Sequence, residues 1–473
     1  MSDTTLDGGL APARSPSAAQ LYRAVWRWHF YAGLYVVPFL LILATTGLIM
    51  LWVSVLDGRD GEKSLRVEPS ATTIAVSQQA EAALAAVPGS SLKQYMAPLD
   101  PTRAALFRVD TDGLARMVAI DPATGRVLDD WSRRAGWYDL ADTIHGTLLI
   151  GWVGDRMVEI AAGFGIVLIL SGLYLWWPRS TGGLRRMLVP DLALRGRGLF
   201  RTLHGALGFY VSIVLFAFLL SGMAWTGIWG ETIVQAWSTF PAAKWDNVPL
   251  SDVTHAAMND GGLKEVPWAL EQTPMPASGS AAGLDGVPEG TPVTIDSVAA
   301  LARRLGFGAD GRFELNPPMG ETGVWTISQD SMSNDSHHPT SDRTVHVDRY
   351  SGRILADVGY ADYSPAGKAM AVGIALHEGD MGLWNVALNT LFCLSVIALC
   401  VSGIALWWLR RPKGAWRLAA PPVPANLPVA RGAALTALVV SLLFPLVGLT
   451  LIAVLALDLL VLPRVPGLRR ALG

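Results

Sequence analysis

Four of the eight histidines stand beside long apolar segments, where an imidazole can serve as a metal ligand. His29 and His204 lie at the start of the first and third apolar segments, and His145 and His377 precede the second and fourth. A six-coordinate b-type haem needs two neutral imidazoles, one on each side of the ring. Successive membrane helices alternate in direction, so these histidines form one pair at each membrane face. The sequence therefore predicts two sites for haem b, with these histidines as ligands of the haem iron.

Small and basic residues near these histidines suit a flat macrocycle that carries propionates. Gly33 and Gly208 lie one helical turn beyond the histidines of their own segments and would leave room between helices. Arg156 is a candidate partner for the propionates, as are Arg27 and Arg201. The alternatives are that a histidine at a helix end is only an interfacial residue, and that the glycines serve close helix packing alone.

The chain repeats this arrangement. The first and third apolar segments carry the same residue types at the same offsets, namely His29, Gly33, Tyr35 and Gly47 in one and His204, Gly208, Tyr210 and Gly222 in the other. The second and fourth share a Ser-Gly and a Trp-Trp pair, namely Ser171-Gly172 with Trp176-Trp177 and Ser402-Gly403 with Trp407-Trp408. This self-similarity predicts an internal duplication. The tryptophans are typical of a membrane-interface belt.

The composition favours a membrane protein. Only 16% of the residues are charged and 51% are hydrophobic, whereas soluble domains carry about 25% charged residues. Residues 30–56, 157–177, 207–229 and 383–409 are each long enough to span a hydrocarbon layer of about 30 Å. Residues 433–462 are apolar too, with Pro445 near the middle. We expect a kinked fifth helix there, and a re-entrant hairpin is the alternative.

Arginine and lysine residues set the expected orientation. They cluster before the first span, after the second and after the fourth. Basic residues near spans favour the cytoplasmic side, so we expect these segments on the cytoplasmic side of a bacterial inner membrane. The two long loops then face the periplasm. Each loop contains a helical pattern, at 75–86 and 297–305, followed by two strands around an Asp-to-Gly turn, at 118–128 and 345–355. We therefore expect two α+β domains outside a bundle of four membrane helices plus a probable fifth, with an irregular insertion at 241–292.

Several function classes are excluded. The net charge of −2 gives no basic field for nucleic acid. The two cysteines, Cys393 and Cys400, lie in one apolar segment, and no CxxC or CxxCH motif is present, which argues against iron–sulfur clusters and covalent haem. No GxGxxG motif lies between a strand and a helix, so the chain cannot take hydride from a nicotinamide cofactor unaided.

The repeated His-x3-Gly and His…Ser-Gly-x3-Trp-Trp segments, with Asp…Gly-Arg-[Val/Ile]-Leu hairpins between them, resemble the PepSY-associated transmembrane family over residues 20–412. That family includes iron-regulated inner-membrane proteins and siderophore-iron reductases. The resemblance implies PepSY-type periplasmic domains, b-type haem on His29, His204, His145 and His377, and reduction of a ferric siderophore. The electron donor would be quinol or a separate reductase. Two other hypotheses stay open, a haem-free PepSY sensor or scaffold that binds a periplasmic partner, and an iron or siderophore permease.

The expected segments, in chain order, are a cytoplasmic N-terminus (1–27), transmembrane helix 1 (28–56), a first periplasmic domain (57–142), transmembrane helix 2 (143–177), a basic cytoplasmic loop (178–203), transmembrane helix 3 (204–229), a second periplasmic domain (230–375), transmembrane helix 4 (376–409), a cytoplasmic loop (410–431), a probable transmembrane helix 5 (432–462) and a tail (463–473).

Overall fold

The computed structural model describes residues 18–178, 183–234, 248–259, 265–330, 333, 335–336, 338–412, 418–421, 431–460 and 464–465. The helices of this part are, in chain order, α1 (Ala18–Leu56), α2 (Val76–Ala86), α3 (Trp137–Thr147), α4 (Trp152–Trp176), α5 (Gly183–Leu188), α6 (Arg197–Met223), α7 (Ile295–Arg304), α8 (Pro365–Glu378), α9 (Leu383–Arg410), α10 (Arg431–Leu443) and α11 (Pro445–Leu460). The strands are β1 (Ser91–Met96), β2 (Ala105–Thr111), β3 (Leu114–Ile120), β4 (Val127–Ser132), β5 (Leu250–Thr254), β6 (Pro274–Pro276), β7 (Glu314–Asn316), β8 (Val324–Gln329), β9 (Arg343–Asp348) and β10 (Ile354–Gly359).

Four of these helices, α1, α4, α6 and α9, are long and apolar enough to cross a membrane, which confirms the four predicted spans. Their bounds differ from the prediction. Helix α1 starts before residue 28, and α6 runs from Arg197 to Met223 instead of 204–229. The expected N-terminal segment and tail lie mostly outside the described residues.

Two predicted spans are each divided into two helices. The predicted helix over 143–177 is interrupted between α3 and α4, where Leu148, Leu149 and Gly151 adopt positive φ angles of 52°, 62° and 61°. Left-handed backbone ends a helix. The predicted helix over 376–409 is interrupted in the same way between α8 and α9, at Gly379 and Gly382. Sequence hydropathy missed both breaks because the separate helices are joined by short, apolar or glycine-containing segments.

The fifth apolar segment also differs from the expected single helix over 432–462. It consists of α10 and α11, which are separated at Phe444 and are each shorter than 18 residues. Pro445 is the first residue of α11, a position where the missing backbone N–H costs no helical hydrogen bond.

The strands of the two long loops form one sheet rather than two. Its order is β10-β9-β8-β7-β1-β2-β3-β4, and all neighbouring strands are antiparallel. The two runs of four strands meet where Tyr95 of β1 pairs with Leu315 of β7. This pairing covers two strand edges that two separate sheets would leave exposed. A further pair, β5 and β6, lies within the predicted insertion.

One face of the sheet carries the main apolar core. Phe107, Val118, Ile327 and Val345 are fully buried on this face and pack with residues of α2 and α7. Thr294 caps the start of helix α7, where its hydroxyl accepts a hydrogen bond from the backbone N–H of Ser297. The opposite face carries buried polar and charged side chains.

The chain divides into two compact units. One comprises the described residues of 1–39, 159–216 and 398–473, and the other comprises those of 40–158 and 217–397. The first unit contains His29 and His204, and the second contains the eight-stranded sheet together with His145 and His377.

Candidate haem sites

In the first unit, the side chains of His29 on α1 and His204 on α6 face each other. Their ring centres are 6.4 Å apart and the ring planes are nearly perpendicular, at 87°. The Nδ1 atom of His29 lies 2.9 Å from the hydroxyl of Ser171 on α4. That of His204 lies 3.0 Å from the hydroxyl of Ser402 on α9 and 3.1 Å from the carbonyl oxygen of Leu399.

In the second unit, His145 on α3 and His377 on α8 repeat this geometry. Their ring centres are also 6.4 Å apart, with an angle of 81° between the planes. The Nδ1 atom of His145 lies 2.9 Å from the hydroxyl of Thr46 on α1. The Nδ1 atom of His377 lies 2.9 Å from the hydroxyl of Ser221 on α6. The structure therefore brings together the two predicted pairs, each within its own unit.

A glycine lies against the edge of each of these rings. The Cε1 atom of each histidine is close to the position that a glycine Cβ would occupy, at 3.1 Å for Gly172 and His29, 3.3 Å for Gly403 and His204, 3.4 Å for Gly222 and His377, and 3.7 Å for Gly47 and His145. Each of these glycines directly follows the serine or threonine that contacts the same ring. A Ser-Gly or Thr-Gly dipeptide thus holds every one of the four histidines.

Two asparagines secure the end of the helix that carries His377. Asn389 on α9 donates hydrogen bonds from Nδ2 to the carbonyl oxygens of His377, at 3.0 Å, and Leu376, at 2.9 Å. Asn385 donates to the same Leu376 oxygen at 2.9 Å. Both asparagines are buried. They satisfy carbonyl groups that the helix end would otherwise leave without partners, and they fix the position of His377.

The other predicted site residues take varied positions. A Cβ on Gly33 would stand 3.9 Å from Leu168, and one on Gly208 would stand 3.5 Å from Leu399. These two glycines therefore face leucines of neighbouring helices. Arg156 forms an ion pair with Asp155, and its guanidinium lies close beside the backbone of Gly227.

Arg27, a further predicted propionate partner, donates a hydrogen bond from Nη1 to the carbonyl oxygen of Pro421 at 2.6 Å. Its guanidinium also lies 4.9 Å from the ring centre of Tyr31.

The geometry of the histidine pairs fits a haem iron. With metal–nitrogen bonds of about 2 Å and about 1.1 Å from ring centre to nitrogen, two imidazoles on opposite sides of one iron have centres roughly 6 Å apart. In the part of the chain that the structure describes, no residue donates to or accepts from the Nε2 atom of any of these histidines. Since each Nδ1 atom has a protein partner, Nε2 is the nitrogen that would be available to a metal ion.

The polar face of the sheet contains a buried ionic cluster around Arg312. This arginine is 1% exposed, and its Nε donates to Asp335 at 2.7 Å while Nη2 lies 3.2 Å from Asp60. Burial raises the pKa of Glu314, 3.7 Å from Arg312, to about 8 despite the nearby guanidinium. Burial also raises the pKa of Asp335 well above its ordinary value. Arg312 is the cation that these buried carboxyl groups share.

A third histidine pair, which is fully buried, links the insertion to this same face. The Nε2 atoms of His255 and His346 are 2.8 Å apart, and both side chains are fully buried. His255 Nδ1 donates to the carbonyl oxygen of Thr273 at 2.7 Å, so its Nε2 accepts a hydrogen bond from His346. The Nδ1 atom of His346 then accepts from the hydroxyl of Thr326 at 3.0 Å. Burial lowers the pKa of His255 to about 4 and that of His346 well below its ordinary value.

Sequence reasoning missed this pair, whose members are 91 residues apart in the chain. It also missed the contacts of Thr46, Ser171, Ser221 and Ser402 with the histidines, although Ser171-Gly172 and Ser402-Gly403 recur in the sequence. The signal for them lies in those repeats, since Thr46-Gly47 and Ser221-Gly222 have the same form at the same offset from His29 and His204. His337 lies outside the described residues.

The four membrane helices and the sheet that interrupts them define a multi-pass membrane protein. The family model of the PepSY-associated TM region matches residues 26–410, so the chain belongs to that family. A search among curated proteins found no match.

Proposed function

We propose that this chain is a di-haem b-type transmembrane electron-transfer protein, which reduces a ferric siderophore in the periplasm of a bacterium and thereby releases its iron. The observation that carries the proposal is the geometry of the two histidine pairs, each with ring centres 6.4 Å apart and with both Nδ1 atoms held by hydroxyl groups.

The protein residues have defined roles in this proposal. His29 and His204 would hold one haem and His145 and His377 the other, in each case through Nε2. Bound haem would supply a one-electron carrier at each pair. The hydroxyl groups hold the ligands in place, and the adjacent glycines leave space for the imidazole rings.

We further propose that the two halves of the chain arose by duplication. Within the first half, His29 contacts Ser171 and His145 contacts Thr46. Within the second half, His204 contacts Ser402 and His377 contacts Ser221 in the same order. In both halves the hydroxyl residue on the first membrane helix follows that helix's histidine by the same offset. Each haem would thus be bound by one histidine from each half.

The proposed orientation puts the His29–His204 pair at the cytoplasmic face and the sheet on the periplasmic side. The arginines near the start of α1, after α4 and at the end of α9 support it. Electrons from quinol or a separate reductase would enter at the first pair. One electron reduces one ferric ion to ferrous iron, which hard oxygen chelators hold far more weakly, so that the metal leaves the siderophore.

Vectorial iron reduction in liposomes tests this function. The purified protein would be reconstituted with dithionite on one side of the membrane and a ferric hydroxamate on the other, together with a dye that binds only ferrous iron. The control variant His338→Ala, in which an exposed side chain is replaced, should form ferrous iron at the wild-type rate. In the double variant His145→Ala/His377→Ala, the rate should fall to that of empty liposomes.

A rate that is the same for empty liposomes and for liposomes with protein would contradict the reductase function. A folded preparation without haem would favour the haem-free sensor or scaffold instead. Transport of the intact ferric chelate without reduction would favour the permease.

A further inference from the structure

Four hydroxyl residues occupy equivalent places beside the four histidines. Thr46, Ser171 and Ser221 lie 2.9 Å from the Nδ1 atoms of His145, His29 and His377. Ser402 lies 3.0 Å from that of His204. Each belongs to a membrane helix next to the helix of its histidine, and each is at least nine-tenths buried.

The hydroxyl protons of these residues already have acceptors. Each hydroxyl donates to a carbonyl oxygen of its own helix: Ser171 to Val167 at 2.6 Å, Thr46 to Ile42 at 2.8 Å, Ser221 to Ala217 at 3.0 Å, and Ser402 to Leu399 at 2.9 Å. The hydroxyl oxygen is therefore left as an acceptor toward the histidine. This assigns the histidine proton to Nδ1 and the lone pair to Nε2.

We propose that Thr46, Ser171, Ser221 and Ser402 are positioning residues that fix the iron-binding tautomer of the four histidines and set the reduction potentials of the two haems. The inference rests on the proposed function. An acceptor on Nδ1–H makes Nε2 a stronger electron donor, which favours ferric over ferrous iron. Loss of the hydroxyl should therefore raise the potential of the haem to which that histidine belongs.

A backbone carbonyl group also lies beside each histidine. The carbonyl oxygen of Leu399 lies 3.1 Å from Nδ1 of His204 and would remain after Ser402 is replaced. His29 has the corresponding backbone hydrogen bond with Leu168, His145 with Leu43, and His377 with Phe218. Replacement of the hydroxyl residue should therefore weaken the hydrogen bonding of each histidine without abolishing it.

Potentiometric titration of the purified, haem-loaded protein tests the proposal. Ser171→Ala should favour the reduced form of one haem by about tenfold. For a one-electron couple this corresponds to a rise in the reduction potential of about 59 mV. Ser402→Ala should shift the potential of the same haem in the same direction, and Thr46→Val should shift only that of the other haem. Ser171→Thr, which keeps the hydroxyl, should restore the wild-type value.

Two matched controls share the helix geometry without the histidine. Thr45 precedes Thr46 and donates to Leu41 O at 2.7 Å, and Ser212 on α6 donates to the carbonyl oxygen of Gly208 at 2.5 Å. Thr45→Val and Ser212→Ala should leave both potentials unchanged. Haem lost from Ser171→Ala but kept in Ser171→Thr and Ser212→Ala would also support a positioning role.

The outcomes separate this inference from the function on which it rests. Wild-type protein that binds no haem would overturn the proposed function. Two haems with unchanged potentials in Ser171→Ala and Thr46→Val would overturn the inference alone, as would equal shifts in the matched controls.

Discussion

Gly172 lies against the imidazole ring of His29, whose Cε1 atom is 3.1 Å from the position that a Cβ on Gly172 would occupy. Real Cβ atoms seldom approach another atom so closely, so any larger residue at this position must displace the ring. The relationship connects one helix backbone to the orientation of a candidate haem ligand on another helix. It also recurs, at graded distances, for the other three histidines.

Alanine at the four glycines should therefore have graded effects. The loss of stability should be largest for Gly172→Ala, because overpacking of this kind typically costs about 1–3 kcal/mol. It should be smallest for Gly47→Ala, whose Cβ would stand 3.7 Å from His145. Alanine is a better helix former than glycine by up to about 1 kcal/mol. All four sites are helical, so this gain is similar at each and cancels when the variants are compared with one another. Thermal unfolding and haem content of the purified variants provide the measurement, and equal effects at both positions would contradict it.

Arg312 should be essential for the stability of the sheet domain. Arg312→Met removes the buried arginine that Asp335 and Asp60 share, although Arg133 still pairs with Asp60. Removal of one partner of a buried ion pair costs about 3–5 kcal/mol. The matched control is Arg116→Met, which removes a half-exposed ion pair with Asp130 and should cost at most about 1 kcal/mol. Denaturant unfolding of the full chain in detergent measures both, and similar losses for the two variants would refute this role.

The His255–His346 pair should make the sheet domain sensitive to acid. The pKa of His255 is lowered from 6.5 to about 4 in the folded protein, so the unfolded chain binds more protons between these values. Stability from this group is present above about pH 6.5 and is lost as the pH falls toward 4. The pKa of His346 is lowered too, by burial and by His255, so His346→Gln removes one of two groups that lose stability in acid. The wild-type melting temperature should therefore fall between pH 7 and pH 5 by more than that of His346→Gln.

The exposed His338 is the control for the acid effect. His338→Gln should retain the full wild-type loss of stability between pH 7 and pH 5. An undiminished loss in His346→Gln would mean that other groups cause the acid sensitivity.

The positions of the four haem-ligand candidates followed from sequence because they depend on local features. Apolar runs identified the membrane helices, and the repeated offsets from His29 and His204 marked residues with equivalent surroundings. The structure then brought these two residues together, as the sequence predicted. The α2 and α7 helices and the hairpins at Asp121–Gly125 and Asp348–Gly352 were also predictable, since capping and turn residues act over a few positions.

Features that depend on contacts between distant segments were not predictable. Nothing local shows that β1 pairs with β7 to join two sheets, or that His255 meets His346. The break after α3 escaped notice because Leu148 and Leu149 are unusual residues for left-handed backbone. The hydroxyl contact between Thr46 and His145 joins residues 99 positions apart, so the sequence repeat could mark Thr46-Gly47 only as a recurring pattern.

The absorption spectrum of the purified protein, air-oxidised and then reduced with dithionite, tests the central claim most directly. The account predicts b-type haem spectra with two haems per chain, of which one is lost in His29→Ala/His204→Ala, the other in His145→Ala/His377→Ala, and both when all four histidines are replaced. A folded wild-type protein without colour, or a spectrum that survives replacement of all four histidines, would contradict it.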